Sequence, residues 1–208
     1  MPCNHKFINF LNPLKLDFEP VILIVGTFNP SWPDGNKAEW FYGRTSRNYF
    51  WDVLPRLFDK QSLRKAKKND WITFCKENKI LITDVIECII DADFENEEHQ
   101  VILKSYLDTS IADYFNKFKI TDIGDILKRY PTIKNIYFTR NEGVELFDSE
   151  WNKIKQNVNN NNDYHMKNLL TPSASARFQI KEYKSNNPND KTPLRNFIFE
   201  EWKKNWHI

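Results

Sequence analysis

Five successive β-prone apolar residues, Val21-Ile22-Leu23-Ile24-Val25, run into Gly26. Side chains alternate between the two faces of a strand, so a run with no polar position has to be buried on both. That is the environment of a parallel sheet with helices on either side. Residues 79–85 and 135–139 repeat the pattern, and residues 165–170 offer a fourth strand. Helical spacing falls between these runs. Phe50, Trp51, Leu54, Leu57 and Phe58 recur at intervals of three and four after a start at Ser46 or Arg47. Further helices are expected over residues 63–78, 109–117, 121–130, 142–156 and 194–206. Residues 1–20, with Pro13 and Pro20, are expected to be an irregular entry segment, residues 91–100 an acidic exposed stretch, and the asparagine tract 159–162 a solvated loop. Strands alternating with helices predict an α/β fold with a mainly parallel sheet, and 208 residues fit one domain spanning 1–208.

Ligands of such sheets bind beyond the carboxyl ends of the strands. Two long loops, 27–44 and 171–177, and the turn at Thr83 and Asp84 fall there. Long loops within compact domains are usually functional.

Composition narrows the chemistry. The aromatic share of 15% excludes wholesale disorder. No apolar run approaches the ~20 residues of a membrane span, and no signal peptide is visible, so no membrane partner is expected. Cys3, Cys75 and Cys88 are scattered, with no CxxC pair, which argues against a disulfide framework, structural zinc or an iron–sulfur cluster and favours a reducing cytoplasm. His5, His99, His165 and His207 show no HxxxH spacing, so a metal-dependent mechanism is not expected. A net charge of +2 decides little. The cluster Arg64-Lys65-Ala66-Lys67-Lys68 could meet phosphates, although a solvated helix face accounts for it as well.

Three segments carry candidate chemistry. In Gly26-Thr27-Phe28-Asn29-Pro30-Ser31 the glycine permits close backbone approach, and Asn29 offers an amide that can hold a water without ionising it. A simple Asn-Pro turn is the plainer alternative. Phe41 and Tyr42, ahead of Gly43, could stack on a flat heterocycle or belong to the core. Thr171-Pro172-Ser173-Ala174-Ser175-Ala176-Arg177 combines small hydroxylated residues, able to press a backbone against phosphates, with a terminal arginine. Asp84 could act as a base, orient a neighbour, or merely cap a turn.

Together these segments resemble the uracil-DNA glycosylase superfamily. Residues Gly26-Thr27-Phe28-Asn29-Pro30 look like its first motif, with the Asn-Pro of the mismatch-specific uracil/thymine branch. The segment ending in Arg177 is similar to that branch's Pro-Ser-Ser-Ser-Ala-Arg loop. Phe41-Tyr42-Gly43 followed by Asn48-Tyr49-Phe50-Trp51 looks like a signature shared with the hypoxanthine-DNA glycosylase branch, and Asp84-Val85-Ile86-Glu87-Cys88 and Asp108-Thr109-Ser110-Ile111 follow in the order expected of it. The resemblance covers roughly residues 21–178. Ser31 stands where a glycine often follows the proline, and Arg44-Thr45-Ser46 where a His-Pro is usual.

The resemblance implies a three-layer sandwich around a four-stranded sheet, and excision of a deaminated or mismatched base from DNA without metal or cofactor. It implies that Asn29 or Asn48 positions the attacking water, that Phe41 or Tyr42 stacks on the everted base, and that Thr83, Asp84 and the backbone near Phe28 contact its edge. Ser31, Ser173 and Ser175 would meet phosphates and Arg177 would fill the vacated space. DNA is then the partner, and a monomer is expected. A non-catalytic DNA-binding module and a nucleoside N-glycosidase are the alternative functions.

Overall fold

The computed structural model describes residues 1–33, 36–43, 47–159 and 164–207. Its elements run β1 (Cys3–Asn4), α1 (Ile8–Leu11), β2 (Ile22–Gly26), α2 (Phe50–Arg56), α3 (Lys68–Glu77), β3 (Ile80–Asp84), β4 (Ile86–Ile89), α4 (Glu97–Ser105), α5 (Asp108–Tyr114), β5 (Phe118–Ile120), α6 (Ile123–Arg129), β6 (Asn135–Phe138), α7 (Glu145–Asn159) and β7 (His165–Asn168). A 3₁₀ turn (Ala174–Phe178), α8 (Lys181–Asn186) and α9 (Pro193–Asn205) follow.

Four strands form a parallel sheet in the order β3-β2-β6-β7, with Ile22 opposite Ile80 and Asn135. The alternation expected of doubly buried strands is explicit. Leu23, Val25, Leu81, Ile136 and Phe138 join one apolar core with residues of α6 and α7. Ile22, Ile24, Ile80, Ile82 and Tyr137 join a second core with residues of α2, α3 and α9. Helices therefore cover both faces, and the architecture is the α/β fold that the strand pattern predicts. The chain leaves β2 for β3 on one side and returns to β6 on the other, so the order reverses between β2 and β6. Loops diverge at such a point and leave a crevice at the carboxyl ends.

Several elements differ from the sequence expectation. The entry segment is not wholly irregular: β1 pairs antiparallel with β4, which pairs with β5, giving a second, three-stranded sheet. These strands have two to four residues, too short for a period to emerge. The acidic stretch leads into α4, whose amino end is capped by Asn96 accepting from the amides of Glu98 and His99. Helix α3 begins at Lys68 rather than at residue 63, and α5 ends at Tyr114 rather than at residue 117, with β5 starting at Phe118. Helix α2 begins at Phe50, three residues after the Arg47 start that the spacing allowed; the alternative start at Ser46 and the asparagines at 160–162 lie outside the described residues.

Candidate active site at the carboxyl ends of the strands

Gly26 ends β2 directly opposite Asp84, the last residue of β3. A Cβ at Gly26 would lie 2.1 Å from Asp84 Oδ1 and 2.4 Å from the Tyr42 hydroxyl. No real Cβ makes contacts that short, so glycine is what admits both polar groups to this strand end.

Asp84 is buried and accepts a 2.7 Å hydrogen bond from His5 Nε2. The backbone amide of Phe7 donates to His5 Nδ1 at 2.9 Å, so the ring's proton sits on Nε2 and points at the carboxylate. The imidazole stacks on Phe41 and meets Phe7 and Phe28 edge-on. The entry segment is fastened to the first loop through a bridge between His5 and Pro30 and through Lys6 N–H donating to Asn29 O at 2.7 Å.

Tyr42 completes the wall. Its ring stacks on Phe50 at 3.8 Å between centroids, and its hydroxyl lies 2.7 Å from Thr139 Oγ1. Thr139 donates to Val25 O, so the tyrosine donates to the threonine. Burial, reinforced by the charge of Asp84, holds the Tyr42 phenol well above its ordinary value. Its φ of 56° is unusual for a bulky residue and costs about 1–3 kcal/mol, so the surrounding contacts enforce the placement. A second carboxylate stands close by. Asp108 accepts from Arg140 Nη1 at 2.6 Å and from the Thr27 hydroxyl. Burial pushes its carboxyl upward, Arg140 opposes this, and Asp84 adds repulsion.

The other anticipated residues take definite places. Asn29 is buried, and its Oδ1 accepts from Asn36 Nδ2 at 2.6 Å. Ser31 is exposed on the same loop, its amide donating to Asn4 O. Phe28 and Phe41 are core residues packed around His5. Thr83 is fully buried and donates its hydroxyl to Leu11 O at 2.7 Å, which commits it to α1.

Asn48 lies two residues before α2, whose first residue, Phe50, stacks on Tyr42. Asn48 forms an isolated antiparallel bridge with Ser173, flanked by Tyr49 N–H to Pro172 O and Ala174 N–H to Arg47 O. Its Oδ1 accepts from the amide of Phe50 at 2.9 Å, fixing the entry to α2. Ser173 Oγ is 2.6 Å from Ser175 Oγ. Arg177 is exposed, its guanidinium 4.9 Å from the ring of Phe178, itself 77% exposed.

The structure thus joins Gly26, Asp84 and Tyr42 directly, sets Asn29 on the loop fastened to His5, and joins Asn48 to Ser173. His5, Thr27, Asp108, Thr139 and Arg140 were not anticipated as site residues. Thr139 directly follows β6, so the strand-end rule could have flagged it; nothing local marks His5. Among the described residues no group of His, Cys, Asp and Glu side chains is arranged to hold a metal ion, and no helix is long and apolar enough to cross a membrane.

The fold has a solved counterpart. The chain is similar to the solution NMR structure of a "putative Uracil DNA glycosylase" from Methanosarcina acetivorans, with a TM-score of 0.52 and 16% identity, covering 89% of this chain and 92% of that one. No family model and no curated protein matches the chain. The protein therefore has a uracil-DNA-glycosylase-like α/β fold. At this identity the likeness concerns the fold alone.

Proposed function

We propose that the protein is a DNA glycosylase that hydrolyses the N-glycosidic bond of an aberrant base, such as uracil, mispaired thymine or hypoxanthine, in base-excision repair. One observation carries this reading. At the carboxyl end of the sheet, Asp84 is held by His5 beside Gly26 and Tyr42, His5 is bridged to Pro30 next to Asn29, and Tyr42 stacks on Phe50, whose amide is bound by Asn48, itself bridged to Ser173. The fold shared with the archaeal protein supports it.

A C1′ carbon is shielded in a stacked duplex, so the target nucleotide must turn out of the helix. Asn29 holds the attacking water through its amide. Asn48 acts one step back, by positioning the serine loop and the entry to α2. Water oxygen bonds to C1′ as the C1′–N bond breaks, and that bond's electron pair leaves with the base. The negative charge of Asp84 stabilises the oxocarbenium character that develops on the sugar, and Asp84 takes the water's proton as the water oxygen bonds to C1′. Backbone amides near Phe28 stabilise the departing anion. Tyr42, kept neutral by its surroundings, forms a wall against the base, with Phe41 behind it in the core. Ser31, Ser173 and Ser175 meet phosphates flanking the lesion, and Arg177 enters the space the base vacates.

The test is a panel of duplexes carrying uracil, thymine opposite guanine, hypoxanthine or xanthine, treated with the protein and then with alkali. A strand break at the lesion of at least one duplex, unchanged by a chelator, is expected. Intact strands in every duplex at stoichiometric protein would overturn the reading; retained DNA binding would then favour a non-catalytic module, and cleavage of free nucleosides an N-glycosidase.

A further inference from the structure

The basic cluster at residues 64–68 is not a helix face, since α3 starts only at Lys68. Arg64 and Lys65 instead line a groove of about 490 Å³. Its other walls come from Tyr49, Arg177, Lys184 and Arg195, brought from the entry to α2, the 3₁₀ turn, α8 and α9. The connecting segment is fixed in place: Leu63 N–H donates to Trp51 O, and Trp71 Nε1 donates to Leu63 O, both at 2.8 Å.

We propose that this groove is a track for the DNA sugar–phosphate backbone beside the lesion. The inference rests on the glycosylase reading for its choice of polyanion. Five lining side chains are cationic, and none of the described lining residues is acidic. In a chain with 30 basic and 28 acidic residues, such segregation is not the average surface. Two nearby carboxylates have partners, one of them the groove's own Arg195. Asp52 takes Arg195 at 3.2 Å and also faces Arg56, while Asp190 accepts from Asn196, Tyr183 and the amide of Thr192. The Arg64 guanidinium rests 4.9 Å from the Tyr49 ring, and the Tyr49 amide donates to Pro172 O, so one wall of the groove is bonded to the serine loop. Long cations around an open groove suit an extended polyanion, whose phosphates Arg64, Lys65 and Lys184 meet without regard to base sequence, with Arg177 at the end nearest the lesion.

The test uses the whole chain, an undamaged duplex and fluorescence anisotropy between 50 and 200 mM salt. The variant K65Q/K184Q alters two exposed lysines of the groove, and K128Q/K153Q removes the same charge from the opposite face of the sheet. In K65Q/K184Q the slope of log affinity against log salt should become shallower by about 2, with several-fold weaker binding at 50 mM. The K128Q/K153Q pair should match wild type, and unchanged melting temperatures would show that both variants fold. Equal slopes in all three proteins, equal losses in both variants, or no duplex binding by wild type would overturn the proposal. A slope effect without excision of any lesion would uphold the groove and reject the glycosylase reading. Excision with equal slopes would do the reverse.

Discussion

His5 and Asp84 stand 79 residues apart and share a 2.7 Å hydrogen bond, with the imidazole wholly buried and the carboxylate nearly so. A carboxylate away from water needs donors, and a buried neutral imidazole whose other nitrogen is satisfied by Phe7 provides one in a fixed direction. The pair ties the entry segment to the end of β3 and holds Asp84 at the crevice.

Replacing His5 with Phe keeps a ring among Phe7, Phe28 and Phe41 but removes the donor. The buried carboxylate then lacks its partner, and thermal or urea unfolding should show a loss of about 1–3 kcal/mol. Asp84→Asn keeps an acceptor for His5, so its unfolding should change less. Its single-turnover excision should nevertheless fall by about 10²–10⁴-fold. Equal stability and equal excision in both variants would remove the pair from the site.

Gly26→Ala places a methyl where Asp84 Oδ1 and the Tyr42 hydroxyl now lie. Both groups are held by bonds of 2.7 Å, to His5 and to Thr139, so neither yields freely. We expect destabilisation of about 1–3 kcal/mol with the fold retained by circular dichroism, and loss of excision. Wild-type activity in this variant would mean that the close approach is incidental.

The two asparagines should separate kinetically. Asn29→Ala should slow single-turnover excision by about 10²-fold while duplex affinity changes little. Asn48→Ala frees the amide of Phe50 and loosens the serine loop, so it should cost about 0.5–1.5 kcal/mol of stability and weaken lesion binding. Identical kinetic signatures would contradict the division of roles.

Alkaline pH should destabilise the protein. Burial pushes the Cys3 thiol from 9.0 up to about 11, and the Tyr42 phenol moves up as well. Both groups keep their protons longer in the folded chain than in the unfolded one. Their contribution is therefore complete below the unfolded values and is lost as pH rises through the folded ones. Urea unfolding should show stability falling between pH 9 and about 11. Cys3→Ala should flatten part of that slope; an unaltered slope would exclude the thiol as a cause.

The central sheet was legible because Ile22–Gly26, Ile80–Asp84 and Asn135–Phe138 are apolar on both faces, and a chain has few ways to bury such strands. The strand-end rule then located Gly26 and Asp84 together. It did not locate His5, because β1 has two residues and its place depends on pairing with β4 across the chain. Asp108 was visible only as part of a segment in the expected order; its nearness to Thr27 and Arg140 is tertiary. The aromatics divided as propensity alone could not say: Phe41 went to the core, while Tyr42 kept its hydroxyl at the crevice wall. The basic cluster changed character because the helix began later than its spacing suggested, leaving Arg64 and Lys65 beside a groove.

The most direct measurement is mass-spectrometric quantitation of free base released from the lesion duplexes, paired with a count of abasic sites in the same reaction. The account predicts intact base and abasic sites in a one-to-one ratio from at least one lesion, and neither product from Asp84→Asn over the same interval. Release of no base from any duplex, or release at an equal rate by wild type and Asp84→Asn, would contradict it.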